Sequence, residues 1–175
     1  MRVIVHTAVS LDGATTGFEA AVATYYELAG SFGEDVTLTG ADTILAQEAA
    51  LADAPRPGPA EGAPLLAVVD TRERVAAWDA LRGCGHWSGA VALRSHATLA
   101  ADLAALGGEV VRVDSGGTLS GALLAAGLVD EVSLLVHPCI VATPPYWYGE
   151  ARPAGLRLTA AEPLDGGLAW LRYEL

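Results

Sequence analysis

The chain has 175 residues, 52% of them hydrophobic, which fits one domain (residues 1–175) with a sizeable core and excludes a disordered class. Ten Lys+Arg stand against 21 Asp+Glu, and a net charge of −11 with no basic cluster excludes a phosphate-backbone binder, so no nucleic acid is expected. All ten cations are arginines, which removes lysine Schiff-base and P-loop chemistry.

Arg2–Val9 is rich in β-branched residues and reads as a buried strand, ended by the turn sequence Ser10-Leu11-Asp12-Gly13. Met1–His6 lacks the long apolar stretch of a secretory signal, and no apolar run approaches the roughly 20 residues of a membrane helix. A soluble, cytoplasmic protein is therefore expected. Phe18–Ala29 fits a helix closed near Gly30, Val36–Thr39 a short strand, and Ala41–Ala52 a second helix. Residues 54–64 hold four prolines and two glycines and form a surface loop.

Leu65–Val69 is a continuous apolar run, as in a buried parallel strand, and Ala90–Leu93 is another short one. Leu99–Leu106 suits a helix stopped by Gly107-Gly108, and Glu109–Val113 a strand that runs into Gly116-Gly117 and a helix through Ala126. Val132–Val136 is strand-like. Leu156–Ala160 and Leu168–Tyr173 alternate around Asp165-Gly166-Gly167, the pattern of a hairpin. The fold class that follows is α/β: a mostly parallel central sheet flanked by helices, with a C-terminal antiparallel hairpin.

Ligands of open α/β sheets sit beyond the carboxyl ends of strands, and four such ends carry chemistry here. In Asp114-Ser115-Gly116-Gly117-Thr118-Leu119 a strand passes through two glycines into a helix. The first-turn amides suit a pyrophosphate, although a tight turn alone has the same sequence. Gly40 and Thr43 lie at a second junction, where Thr43 either meets phosphate or caps the helix. Thr71 and Arg72 follow a third strand and suit a 2′-phosphate, or else a solvated loop. Ser10 and Asp12, the candidate catalytic or substrate-contacting pair, either face a polar heterocycle or brace their own turn.

Cys84 and Cys139 have no metal-ligand spacing and the four histidines form no i,i+4 pair, so no metal is expected. Cys139 lies in an apolar run and reads as a buried thiol. Tyr146-Trp147-Tyr148 is either a pocket wall or a packed seam, and Tyr25-Tyr26 poses the same question.

Four segments, in order, resemble one family. They are Val9-Ser10-Leu11-Asp12-Gly13, Thr39-Gly40-Ala41-Asp42-Thr43-Ile44-Leu45-Ala46, Val68-Val69-Asp70-Thr71-Arg72, and Asp114–Gly121 leading into Ala126-Gly127-Leu128-Val129-Asp130-Glu131. The family is the C-terminal reductase domain of riboflavin-biosynthesis deaminase-reductases (the RibD C-terminal domain) and its stand-alone relatives. The resemblance implies a dihydrofolate-reductase-like fold, NADPH as hydride donor and a homodimer acting on a small molecule.

It implies phosphate contacts at Gly40, Thr43, Gly116, Gly117 and Thr118, flanked by Ser115 and Leu119. Thr71 and Arg72 would face the adenosine end, and Ser10 and Asp12 the nicotinamide and substrate. Departures concern the substrate side and the edge of the dinucleotide site: Ala14 stands for a lysine, Ala52-Asp53-Ala54-Pro55-Arg56 is a loose echo of the substrate arm, and Ala142–Tyr148 replaces a glycine-rich turn. The chain between Arg94 and Glu109 is also short. A reductase acting on another carbonyl, imine or heterocycle is the reading that follows. The riboflavin-pathway diaminopyrimidine ribosyl phosphate reductase, and a non-redox protein of the same fold, are its alternatives.

Overall fold

The computed structural model describes residues 1–151 and 155–175. In chain order its elements are β1 (Arg2–Ser10), α1 (Val22–Ala29), β2 (Val36–Gly40), α2 (Ala41–Leu45), α3 (Glu48–Asp53), β3 (Leu65–Val69), α4 (Trp78–Gly83), β4 (Gly89–Leu93), α5 (Leu99–Leu106), β5 (Val110–Val113), α6 (Gly117–Ala125), β6 (Glu131–His137), β7 (Arg157–Pro163) and β8 (Ala169–Glu174). These fall into two compact units, one of Met1 and Glu34–Val111, the other of Arg2–Gly33 and Arg112–Leu175.

In the first unit β2, β3 and β4 form a parallel run in the order β4-β3-β2, with Val36 opposite Leu65 and Leu65 opposite Gly89. β3 and β4 are apolar along their length while β2 buries Thr37 and Thr39, and Leu66 and Val68 of β3 pack with Ile44, Leu51 and Leu81. Burying each such leucine contributes about 2 kcal/mol. The stretch read as one helix over Ala41–Ala52 is two: Gln47 leaves helical geometry at φ −110° and ψ 4°, and α3 starts after it. Helix α4, a six-residue element, carries no strong periodic signal in the sequence.

In the second unit the order is β1-β6-β8-β7. β1 and β6 run parallel, Ile4 opposite Glu131, while β8 lies antiparallel to both β6 and β7. The hairpin turn uses Gly166 and Gly167 at φ +73° and +77°, which only glycine adopts without strain. The parallel strands and closing hairpin are those expected. Helix α1 begins at Val22 rather than Phe18, for a long-range reason. The Phe18 ring packs 4.7 Å from His137, and the Ala21 amide donates to His137 Nε2 at 2.9 Å, so the preceding chain is held as a loop. Cys139, just past β6, is half-buried rather than buried; Cys84 is the buried thiol.

Candidate active site

In the second unit the carboxyl end of β1 builds a closed turn. The Ser10 hydroxyl donates to Asp12 Oδ1 at 2.6 Å and accepts the Ala14 amide at 2.9 Å. Asp12 also accepts the amides of Val141 (3.1 Å, Oδ1) and Ala142 (2.8 Å, Oδ2). The Ser10 hydroxyl and these amides pull the Asp12 pKa down to about 2. Asp12 is therefore a carboxylate that clamps the segment after β6, and neither it nor Ser10 holds a readily transferable proton.

That clamped segment continues into the three aromatics. Ala14 bridges Tyr146, and the Trp147 amide donates to the Gly13 carbonyl at 3.1 Å. Tyr146 stacks parallel on Tyr148 at 5.7 Å, and Trp147 meets Tyr148 edge-on at 5.5 Å. Beyond them the backbone lies against α6. A Cβ on Gly117 would collide with the Tyr146 carbonyl and stand 2.9 Å from the Gly149 nitrogen, and one on Gly121 would stand 2.6 Å from the Tyr148 oxygen. Glycine at 117 thus has a packing reason inside the chain, independent of any ligand. Gly116 differs: its φ of −75° suits any residue, and nothing lies within 4 Å of an added Cβ.

Ser115 and Gly116 are half-buried, Gly117 is buried, Thr118 is exposed, and Leu119 is only 3% exposed, so the Leu119 side chain belongs to the core. No described acceptor takes the amides of Gly117, Thr118 or Leu119, as expected of a helix's first turn.

In the first unit Gly40 ends β2 and precedes α2, which holds Thr43 half-buried. Thr71 and Arg72 are exposed after β3, in a loop built around Asp70. The Asp70 carboxylate is wholly buried and accepts the amides of Arg74 (3.0 Å) and Val75 (2.9 Å), with Arg94 at 3.5 Å. Burial alone would raise its pKa, but these amides and the guanidinium hold it below the usual carboxylate range. Arg74 pairs with Asp42 at 2.7 Å, and Arg94 also approaches Glu73 at 3.9 Å, whereas Arg72 pairs with no described carboxylate. Asp70 stands in the Val68–Arg72 segment of the sequence with no role assigned to it, and Arg74 and Arg94 carry none either; a buried Asp closing an apolar strand is the signal that marks the three. Among the described residues no group of three or more His, Cys, Asp or Glu is placed to hold a metal ion.

The RibD C-terminal domain description matches residues 1–169. The chain belongs to that family. Membership makes this RibD-type chain an oxidoreductase, a reductase of the riboflavin-biosynthesis type. No curated protein sequence matches it. Among solved structures it is similar to a protein named for riboflavin biosynthesis from Shewanella sp. PV-4, at 20% identity and TM-score 0.71, covering 99% of this chain and 98% of that one. It also resembles a diaminohydroxyphosphoribosylaminopyrimidine deaminase/5-amino-6-(5-phosphoribosylamino)uracil reductase from Thermotoga maritima, at 14% identity and TM-score 0.68, covering 99% of this chain and 56% of that one. A third likeness is to dihydrofolate reductase from Enterococcus faecalis, complexed with NADP(H) and RAB-propyl, at 11% identity and TM-score 0.67, covering 99% and 95%. These likenesses carry the dihydrofolate-reductase-like fold to the RibD-type chain.

A dinucleotide is tested by the donors on offer. The three unengaged amides opening α6, and the open space beside Gly116, fit a pyrophosphate.

Proposed function

We propose that this chain is an NADPH-dependent reductase that transfers hydride to a small, uncharged heterocyclic, imine or carbonyl substrate. The observation that carries the reading is the unengaged first turn of α6 in a RibD C-terminal domain. Its pyrophosphate would be held by the amides of Gly117, Thr118 and Leu119, beside Ser115 and Gly116. On the first unit, Gly40, Thr43, Thr71 and Arg72 are the proposed contacts, with Arg72 serving the 2′-phosphate. NADPH supplies the hydride. The residues of the chain bind, orient and keep water from the reacting atoms. Ser10 and Asp12 do so by fixing the loop after β6. The working enzyme would be one reductase-like nucleotide-binding domain, cytoplasmic and homodimeric. No helix among the described residues is long and apolar enough to cross a membrane.

The absence of a phosphate on the substrate is argued from charge. A phosphate ester carries close to two negative charges and needs cations or several converging donors. In the unit that contains Ser10 and Asp12, each described arginine already faces a carboxylate: Arg2 and Arg172 face Glu131, Arg112 faces Asp114, and Arg157 faces Glu174. Arg56 is exposed in the proline loop of the first unit, its Cβ near Gly83. The test is NADPH oxidation with the riboflavin-pathway ribosyl phosphate as substrate. Little or no turnover is expected, and turnover near about 10 per second would establish the riboflavin-pathway reaction instead.

A further inference from the structure

A buried polar network runs through the second unit and ends on the turn that opens α6. Tyr25 of α1 is 8% exposed, and its hydroxyl lies 2.9 Å from both the His6 carbonyl and Asp114 Oδ1, two acceptors that share its one proton. Asp114 Oδ2 accepts from Arg112 Nη1 at 3.1 Å. Asp114 is the residue immediately before Ser115-Gly116-Gly117, so its carboxylate is gripped where the chain leaves β5 for α6.

The tyrosine is itself fixed on all sides. Its ring stacks on the His6 imidazole, with centroids 4.4 Å apart and an interplanar angle of 22°. His6 Nε2 lies 3.1 Å from the Tyr25 carbonyl, which can only accept, so Nε2 carries a proton. In a neutral ring Nδ1 then accepts the Ser133 hydroxyl at 3.0 Å, and Ser133 in turn accepts the Trp170 indole N–H at 2.8 Å. Strands β1, β6 and β8 thus hold the ring, and the phenol points to β5. Burial and the neighbouring Asp114 charge keep the phenol pKa well above the ordinary value, so its proton is always available to donate.

We propose that Tyr25 is a positioning residue: its hydroxyl fixes Asp114, and through Asp114 the Ser115-Gly116-Gly117 turn whose amides take the cofactor's phosphate. The proposal rests on the NADPH reading given above and deepens it. The ring, its stacking and its burial account for the hydrophobic part of Tyr25. The hydroxyl, by contrast, is directed at one backbone carbonyl and at the carboxylate that leads into the turn. Removing that single O–H leaves the packing in place and takes one hydrogen bond from Asp114.

The experiment uses the full chain with Tyr25→Phe, Asp114→Ala and the double variant. Three readouts are taken: NADPH affinity by fluorescence, thermal midpoint, and residue-resolved amide exchange without cofactor. Tyr25→Phe is expected to weaken NADPH about tenfold, the worth of one hydrogen bond to a charged group. It should also speed exchange at Ser120, whose amide is bonded to the Gly116 carbonyl, while leaving β6 unchanged. The double variant should bind NADPH no more weakly than Asp114→Ala alone, because the phenol acts through that carboxylate. Wild-type exchange at Ser120 in Tyr25→Phe, or additive losses in the double variant, would overturn the proposal. If the wild-type chain binds no NADPH, the cofactor reading fails, while the exchange pattern still decides whether Tyr25 holds the turn.

Discussion

The carbonyl oxygen of Tyr146 occupies the place where a side chain on Gly117 would begin. The aromatic segment therefore lies directly on the first turn of α6, and two neighbouring glycines that look alike in sequence have different duties. Gly117→Val must push the Tyr146–Gly149 backbone away from the helix. It is expected to cost more than the roughly 1 to 3 kcal/mol of ordinary overpacking. Gly116→Ala should keep the wild-type thermal midpoint within a degree or two, because its conformation is ordinary and its surroundings open. Thermal melts of the two variants, compared by circular dichroism, check the contrast. Equal destabilisation would show that the packing account is wrong.

Arg72 is expected to confer the preference for NADPH over NADH. Its neighbours Arg74 and Arg94 are occupied by carboxylates, so the loop after β3 offers one guanidinium for a 2′-phosphate. Arg72→Ala should weaken NADPH by roughly 1 to 3 kcal/mol, the range for a charge-assisted hydrogen bond, and leave NADH unaffected. Fluorescence titrations of both nucleotides decide the matter. A parallel loss for both would remove the proposed role.

Asp12 makes an acid-dependent contribution whose sign is fixed by its lowered pKa. The unfolded chain titrates near the ordinary 3.8 and the folded one near 2, so the stabilisation is complete above about pH 4 and is lost as the pH falls through about 2. Wild type should lose more stability than Asp12→Asn between about pH 4 and 2, and the asparagine variant should lack this step. Trp147 reports it locally, because its ring lies beside Gly13. Indole fluorescence followed over that interval, with Asp12→Asn as the reference, is the measurement. Identical acid profiles would mean that the clamp on Val141 and Ala142 contributes nothing.

A homodimer is expected from the family resemblance, and the apolar run of β6 is not its surface. Strand β6 is paired on both sides and buried within its own unit, so its hydrophobicity is already spent. The open apolar surface lies elsewhere: β7 is the outer strand, exposed along nearly its whole length, with Leu158 52% exposed. Sedimentation should give twice the 17.9 kDa chain mass for wild type and a shift toward one chain for Leu158→Arg. A wild-type monomer at micromolar concentration would end the expectation.

Much of this architecture is legible locally. Leu65–Val69 and Val132–Val136 announce themselves as apolar runs, and the two glycines after Asp165 announce the hairpin. What sequence hides is the partner across the chain. Nothing near Phe18 tells that His137, 116 residues from Ala21, will take its amide and delay the helix. Nothing near Tyr25 tells that its hydroxyl will meet Asp114, 89 residues away. Ala46-Gln47 carries no proline or glycine, yet the helix breaks there because Gln47 leaves helical geometry and bonds back to Ile44. The Ser10–Asp12 and Gly116–Gly117 segments are visible as motifs, but whether they face a ligand or their own backbone depends on contacts made far along the chain.

Asp130 ties β1 to the chain's last residue. Its carboxylate and amide bond to both polar groups of the Val3 backbone, and its carbonyl accepts the Leu175 amide. The ends of β1 and β8 flank the same strand, separated by two strand spacings, or about 10 Å. The order in which the ribosome threads the strands is then separable from their arrangement in the second unit. A circular permutant that joins Leu175 to Met1 through about four flexible residues, with new ends cut in the proline loop at Glu61-Gly62, keeps every strand pairing described above. Closing the two strand ends with that linker would also limit their fraying.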